Sequence, residues 1–352
     1  MKKLIFCFVS LGITGYVLSQ GCIIVRNVSG LGQYNLTSNS FSTSNWQISI
    51  NNRYFKAYRD YIGKHDQHTP KQDQNDIYSF STNFEIIRLL PKGWSLDLGF
   101  PISANKRNTD LEHGGPNTRR HITKAFGMGD LHIIAYKWLF KPSDQGNIQL
   151  GLGIKFPTGD FKKQDYFYRN DTTRILSTVN PSIQLGDGGT GIITELNTFY
   201  FLGPKRIFSL YGNFYYLINP TDINGTQYTQ GKPQTPANIL LGAYDVSVPD
   251  VFSLRVGLDY NSKNWTFSAG LRDEGAPVHD LFGASNGIRR NGYTLSAEPG
   301  LVYKFKNVAI YGYVPFLLSH EIKQSVLEKA LNKHLTGGSG DYQIFVGAQF
   351  QL

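Results

Sequence analysis

The sequence predicts an all-β protein, a transmembrane antiparallel β-barrel of about twelve strands with short periplasmic turns and long extracellular loops. Three observations predict it. Successive segments of about ten residues alternate between apolar and polar side chains, the pattern of strands with one face in an apolar phase and one in water. The connections between those segments alternate between short and long. Beyond residue 20 no run of about 18 apolar residues exists to make a membrane helix, yet the chain opens on an export signal.

That signal comes first in chain order. Two lysines, Lys2 and Lys3, precede an apolar run from Leu4 to Leu18 and then small and polar residues, the layout of a secretory signal peptide. Cleavage after Ser19 gives a signal peptide at 1–19, a short periplasmic segment at 20–44 and a barrel at 45–352. Cys7 leaves with the signal, and Cys22 alone cannot close an intrachain disulfide. In SQGC, Ser19 stands where a lipobox wants an apolar residue, so an ordinary thiol is the expected state and lipidation the alternative.

The strands follow. WSLDLGFPIS sets Trp94, Leu96, Leu98, Phe100 and Ile102 against Ser95, Asp97, Gly99, Pro101 and Ser103. IQLGLGIKFP, FSLRVGLDY, WTFSAGLR and YTLSAEPGLVYKF repeat the alternation, and DYQIFVGAQFQL ends the chain on it. Strands are expected near 45–60, 76–90, 94–106, 127–140, 147–159, 190–202, 206–218, 250–262, 265–275, 293–305, 307–320 and 341–352. Short links such as LPKG, KPSDQG, GPKR and SKN then alternate with long ones centred on 61–75, 107–126, 160–189, 219–249, 276–292 and 321–340. A soluble sandwich alternates too, but it has no reason to put every long loop at one end.

The physical cause is hydrogen-bond satisfaction. Hydrocarbon offers no partner to a free N–H or C=O, so strands cross a membrane only in a sheet closed on itself. The last strand must therefore pair with the first, with its apolar file, through Phe350 to Leu352, on lipid. Phe350 and Leu352 also fit the terminal signal read by the outer-membrane assembly machinery. Trp46, Trp94 and Trp265 stand at or near strand starts, where an indole lies at the headgroup level; three core tryptophans of a soluble domain are the alternative.

Several segments carry a family resemblance: NRYFKAYRDYIG at 52–63, GMGDLHIIAYKWLF at 127–140, GNIQLGLGIKFPTGDF at 146–161, GDGGTG at 186–191 and VHDLFGASNGIRRNGY at 278–293. In these the chain resembles the outer-membrane channel family named after the MetA pathway of phenol degradation. GMGDL and KFPTGDF are the more specific, and both are strand and turn signatures. The resemblance implies an outer-membrane barrel with a transport role and brings no catalytic residues.

Composition and motifs exclude most other chemistry. Basic residues are scattered rather than blocked, so the net charge of +9, or +7 after loss of Lys2 and Lys3 (9 − 2), marks no nucleic-acid site. GDGGTG lacks the GK[ST] and helix of a phosphate loop and reads as glycines permitting tight turns. His65 and His68 sit in one polar loop and His113 and His121 in another; without CxxC or HExxH they read as solvated, and no metal or cofactor is expected. His279, Asp280 and Ser285 are the nearest local approach to a hydrolase, but HDLFGASNG reads as an external loop.

The lumen is the candidate site. With the apolar file on lipid, the opposite file points inward and carries Glu85, Asp97, Lys155, Glu195, Arg255, Asp259, Arg272, Glu274, Glu298 and Lys304, with Asn83, Asn197 and Asn213 among them. A basic residue on the lipid face costs about 2–4 kcal/mol at midplane, which fixes their side of each strand. Such files line a water path for a small-molecule solute, or pair across a narrow barrel and close it. Twelve strands lie between the filled eight-stranded and open sixteen-stranded cases. The expectation is a narrow channel for small solutes, hydrophobic or aromatic ones included, with the loops at 160–189 and 219–249, which lack a strand pattern, as gates.

Overall fold

The computed structural model of the protein describes residues 45–115, 118–141 and 145–352. The expected signal peptide, the 20–44 segment and Cys22 lie outside them. The described chain builds one large antiparallel sheet of fourteen strand segments that closes on itself. Two staves are each broken once, so the fourteen segments make a closed barrel of twelve staves (14 − 2).

In order the staves are Trp46–Ala57, Asp76–Leu90, Trp94–Thr109, a fourth made of His121–Met128 and Leu131–Trp138, Gly146–Phe156 and Gly191–Leu202. The next six are Phe208–Ile218, Val251–Ser262, Trp265–Ala276, Asn291–Phe305, an eleventh made of Val308–Tyr313 and Phe316–Lys323, and Gln343–Gln351. Each stave pairs with its neighbours in sequence, and the first pairs with the twelfth over a register that sets Gln47 against Gln351 and Ile48 against Phe350. Closure leaves the wall no free edge at that seam, which is what a non-hydrogen-bonding surround demands.

The expected strands all appear, with two adjustments. The fourth stave begins at His121 rather than near 127: RHITK looks like loop in sequence because of its charges, yet Thr123 and Ala125 face in while Ile122 and Phe126 face out. It breaks at Gly129, whose N–H donates to Pro101 O at 2.8 Å, keeping the third stave attached through the kink. The eleventh stave breaks before Pro315, which has no N–H to give, while Val314 N donates to Pro299 O at 3.0 Å.

Sidedness is the reverse of a soluble protein. On the fifth stave Leu150, Leu152 and Ile154 point outward and are exposed, while Asn147, Gln149 and Lys155 are buried. The same holds on the eighth stave, with Leu254, Val256 and Leu258 outside and Ser253, Arg255 and Asp259 inside. An apolar belt of this extent needs a nonaqueous partner. Trp46, Trp94 and Trp265 are outward and 43–48 % exposed. All three lie at the short-turn end of the barrel; Arg88 sits over the Trp46 ring at 4.7 Å and Lys137 over Trp94 at 5.4 Å. The fourth tryptophan, Trp138, sits on the inward file and meets Phe199 edge-on at 5.9 Å.

The long links are not structureless, which corrects the sequence reading of 160–189 and 219–249. The first contains a hairpin of Gln164–Tyr168 and Arg174–Thr178, turned by Asn170, whose Oδ1 accepts from Thr172 N and Thr173 N. The second contains paired strands Ile223–Gln227 and Asp245–Ser247 and a short helix at Pro236–Leu240.

Candidate functional site

All ten lumen residues expected from alternation lie on inward files. Nine are buried, from Glu298 at 0 % to Asp259 and Lys155 at 7 % exposed, and Lys304 is partly buried. They fall into two arcs of the wall, one of carboxylates and one of arginines paired with carboxylates.

One arc is anionic. Glu85, Asp97 and Glu195 come from the second, third and sixth staves. Asn51 Nδ2 and Asn83 Nδ2 donate to the Glu85 carboxylate at 3.2 and 2.8 Å, and Tyr136 Oη donates to Glu195 Oε2 at 3.0 Å. The reach of Tyr136 depends on Gly151, its register partner: a Cβ there would stand 2.6 Å from Tyr136 Cε1. A ring can lie flat against the wall only where the neighbouring stave offers no side chain. Further along, Asn197 Nδ2 donates to Gln149 Oε1 at 3.0 Å and Asn213 donates to Asn197, so polar partners continue the file.

The other arc is a network of both signs. Arg255 Nε donates to Glu298 Oε1 at 2.7 Å and Arg272 Nη1 to Glu298 Oε2 at 3.4 Å. Arg272 Nε also donates to Glu274 Oε2 at 2.8 Å, and Gln343 links Glu274 to Arg53, whose Nε donates to Gln343 Oε1 at 2.9 Å. Aromatic faces complete the surround: Arg255 lies 5.0 Å from the Tyr313 ring centre and Arg272 4.8 Å from that of Phe345. Arg53 and Gln343 are not among the expected lumen residues, although both are buried on the inward parity of their staves. Asp259 accepts from Ser268 Oγ at 2.6 Å.

Over the long-loop mouth of this lumen, segment 160–189 folds inward. Val179, Ile183 and Leu185 pack on Phe55, Ala57, Ile77 and Ala125, which point into the barrel, and Asn105 Nδ2 donates to Ile183 O at 3.2 Å. Behind them Asn180 Nδ2 donates to Glu112 Oε1 at 2.9 Å, Tyr228 Oη donates to the same oxygen at 2.5 Å, and Arg107 Nε pairs with it at 2.8 Å. Link 219–249 thus supplies Tyr228 to a plug rooted in the third stave.

The sequence motifs meet at the base of that plug. Asp130 of GMGDL accepts from Gly159 N of FPTGDF at 2.9 Å and from Asp187 N of GDGGTG at 3.3 Å. Thr158 Oγ1 donates to Gly129 O at 3.1 Å. Lys155 pairs with Asp130 at 3.5 Å and with Asp187, so this predicted lumen residue is committed to the base of the plug. A Cβ on Gly186 would lie 2.5 Å from Asp130 Oδ1, which is why glycine stands in that turn.

The reading of one loop changes. His65 and His68 are exposed, but His113 is buried in the plug, where its Nδ1 accepts from Tyr168 N at 3.1 Å and its ring stacks on Phe167 at 5.4 Å. His121 stacks on Tyr168 at 4.0 Å. Residues 113 and 121 are therefore packing groups, because the plug folds over a loop that looks polar in isolation. Burial, and then the charge of His121, push the His113 imidazole down to about 3. The His279, Asp280 and Ser285 group is not assembled for hydrolysis. Ser285 Oγ accepts from Asp280 N at 2.9 Å, Arg289 grips the Asp280 carboxylate at 2.8 and 2.6 Å, and His279 is exposed.

No protein-family model matches the chain, and no curated protein sequence does. Among solved structures it is similar to an outer membrane channel from Pseudomonas putida F1, with a TM-score of 0.56 at 10% identity over 88% of this chain and 96% of that one. A Pseudomonas aeruginosa FadL homologue gives 0.43 at 10% identity, covering 90% and 91%. The translocator domain of the autotransporter NalP from Neisseria meningitidis gives 0.45 at 9% identity, covering 91% and 94%. The first of these likenesses alone bears weight, and at its identity it concerns architecture: the chain shares the barrel fold of that outer membrane channel.

Proposed function

We propose that the protein is an outer-membrane channel of a Gram-negative bacterium, passing small solutes, hydrophobic or aromatic ones included, through a narrow charged lumen. The carrying observation is the reversed sidedness together with the two arcs: apolar staves outside, a carboxylate arc and an arginine–carboxylate network inside, and a plug packed in one mouth. The outer belt then meets lipid. Residues 1–19 address the chain for export, 20–44 form a short periplasmic lead, and the strand with Phe350 and Leu352 engages the assembly machinery. The motif resemblance to the phenol-degradation channels, and the fold shared with a channel, support the same reading. Charged groups of both signs along a narrow lumen orient a dipolar solute without a deep binding well, the condition for passage rather than retention.

A closed barrel serving a structural or surface role is the second reading. Its support is the depth of burial of Arg107, Arg255, Arg272 and Glu298, each at 1 % exposure or less. Planar-bilayer recordings separate the two. A channel gives steady conductance in the purified protein, and excising the 164–178 hairpin raises it several-fold. Silence in both the full chain and the excised form supports the closed barrel and overturns the channel.

A further inference from the structure

Glu85, Asp97 and His132 stand on three consecutive staves, and a donor atom from each lies within 4.8 Å of the other two. Their meeting is set by register. Glu85, Gly99 and His132 form one row across the second, third and fourth staves, with Asp97 two residues before Gly99 on the inward file. Gly99 is what lets the imidazole in: a Cβ there would stand 2.3 Å from His132 Nε2. This cluster includes a ring nitrogen with its carboxylates, a mixed donor set that suits a first-row transition ion.

A second observation points to a ligand. Asp97 is 2 % exposed, and its Oδ1 has no hydrogen-bond partner among the described residues. A buried carboxylate left unpaired costs several kcal/mol unless a cation or proton meets it. Lys155, registered opposite His132, is held by Asp130 and Asp187 instead. Meanwhile Glu85 is fixed by Asn51 and Asn83, and those two amides orient it as outer partners orient a metal ligand.

We propose that Glu85, Asp97 and His132 bind one divalent transition-metal ion, Zn²⁺ or an ion of similar size, on the acidic arc of the barrel wall. Side-chain shifts of under about 1 Å bring the three donors to the roughly 3 Å mutual spacing of ligands around such an ion. Bound there, the ion neutralises the two carboxylates and ties three adjacent staves together. The site stands independently of whether the lumen conducts.

Titration calorimetry with ZnCl₂ on the purified, detergent-solubilised full chain tests this, with heat-modifiable gel migration certifying that each variant is folded. Saturable one-to-one binding is expected, weakened about 10-fold or more in Asp97→Asn and in His132→Gln. It should persist unchanged in the surface variant His65→Gln/His68→Gln. Co²⁺ should give a visible absorption band that His132→Gln abolishes. The absence of saturable binding in the folded wild type overturns the proposal. So does binding that survives both lumen substitutions, or that is lost with the surface pair instead, which would assign the ion to the external loop.

Discussion

Arg255 and Arg272 stand directly opposite one another on neighbouring staves, two guanidinium groups in register, and the Glu298 carboxylate touches both, at 2.6 and 3.4 Å. Like charges paired across a ladder repel, and the tenth stave offsets this by delivering one anion to both, while Glu274 accepts from Arg272 as well. Glu298→Gln keeps the shape and removes the charge. Breaking a buried pair typically costs about 3–5 kcal/mol, so chemical unfolding in lipid vesicles should shift by that order. A change below about 1 kcal/mol would mean that lumen water already screens the pair, as it does for exposed pairs.

The contact of Tyr136 with Gly151 makes a steric prediction. Gly151→Val puts methyl groups where the tyrosine ring lies, and its Cβ would also stand 3.1 Å from Glu195 Cβ. Overpacking of this kind costs about 1–3 kcal/mol, and it should release Tyr136 from Glu195. Tyrosine absorbance during alkaline titration reports the release, and an unchanged profile would show that the ring has another resting place.

Acid should loosen the plug. His113 titrates near 6.5 when exposed and at about 3 when packed, so between those values only the opened form binds the proton. Stability of the closed plug is therefore full above about pH 6.5 and is lost progressively as the pH falls towards 3. Limited proteolysis of the 164–178 hairpin should accelerate across that window. His113→Asn, which can still accept from Tyr168 N, should flatten the dependence; an equally steep response in that variant would place the switch elsewhere.

The outer belt can be tested one residue at a time. Leu152 is outward and 64 % exposed near the middle of its stave. In a bilayer Leu152→Arg should cost about 2–4 kcal/mol while Leu152→Phe costs little. Folding titrations into vesicles measure both. Equal stability of the two variants would mean that the belt does not face acyl chains.

Much of this architecture is legible in the amino-acid order. Period-two alternation in segments such as WSLDLGFPIS fixes which residues share a face, because side chains in a strand have no other freedom. That is enough to place Glu85, Asp97, Arg255, Arg272 and Glu298 on one side of the wall. The fourth stave reads too short in sequence because Arg119, Arg120 and Lys124 mimic loop composition. His113 reads as solvated for a related reason: its burial comes from Phe167 and Tyr168, the latter 55 residues further along the chain.

The sequence by itself determined the twelve strands apart from the start of the fourth and the breaks in the fourth and eleventh, with their inward and outward files and the alternation of short and long links, since each follows from local periodicity and turn chemistry. Only the tertiary structure decided which inward charges meet. Register across staves brings Glu298 to Arg255 and Arg272, and His132 over Gly99 to Asp97 and Glu85, while the folding of the 160–189 link brings Asp187 to Asp130 and Lys155. Those pairings depend on shear and closure of the whole cylinder, which are properties of twelve staves together and of no single one.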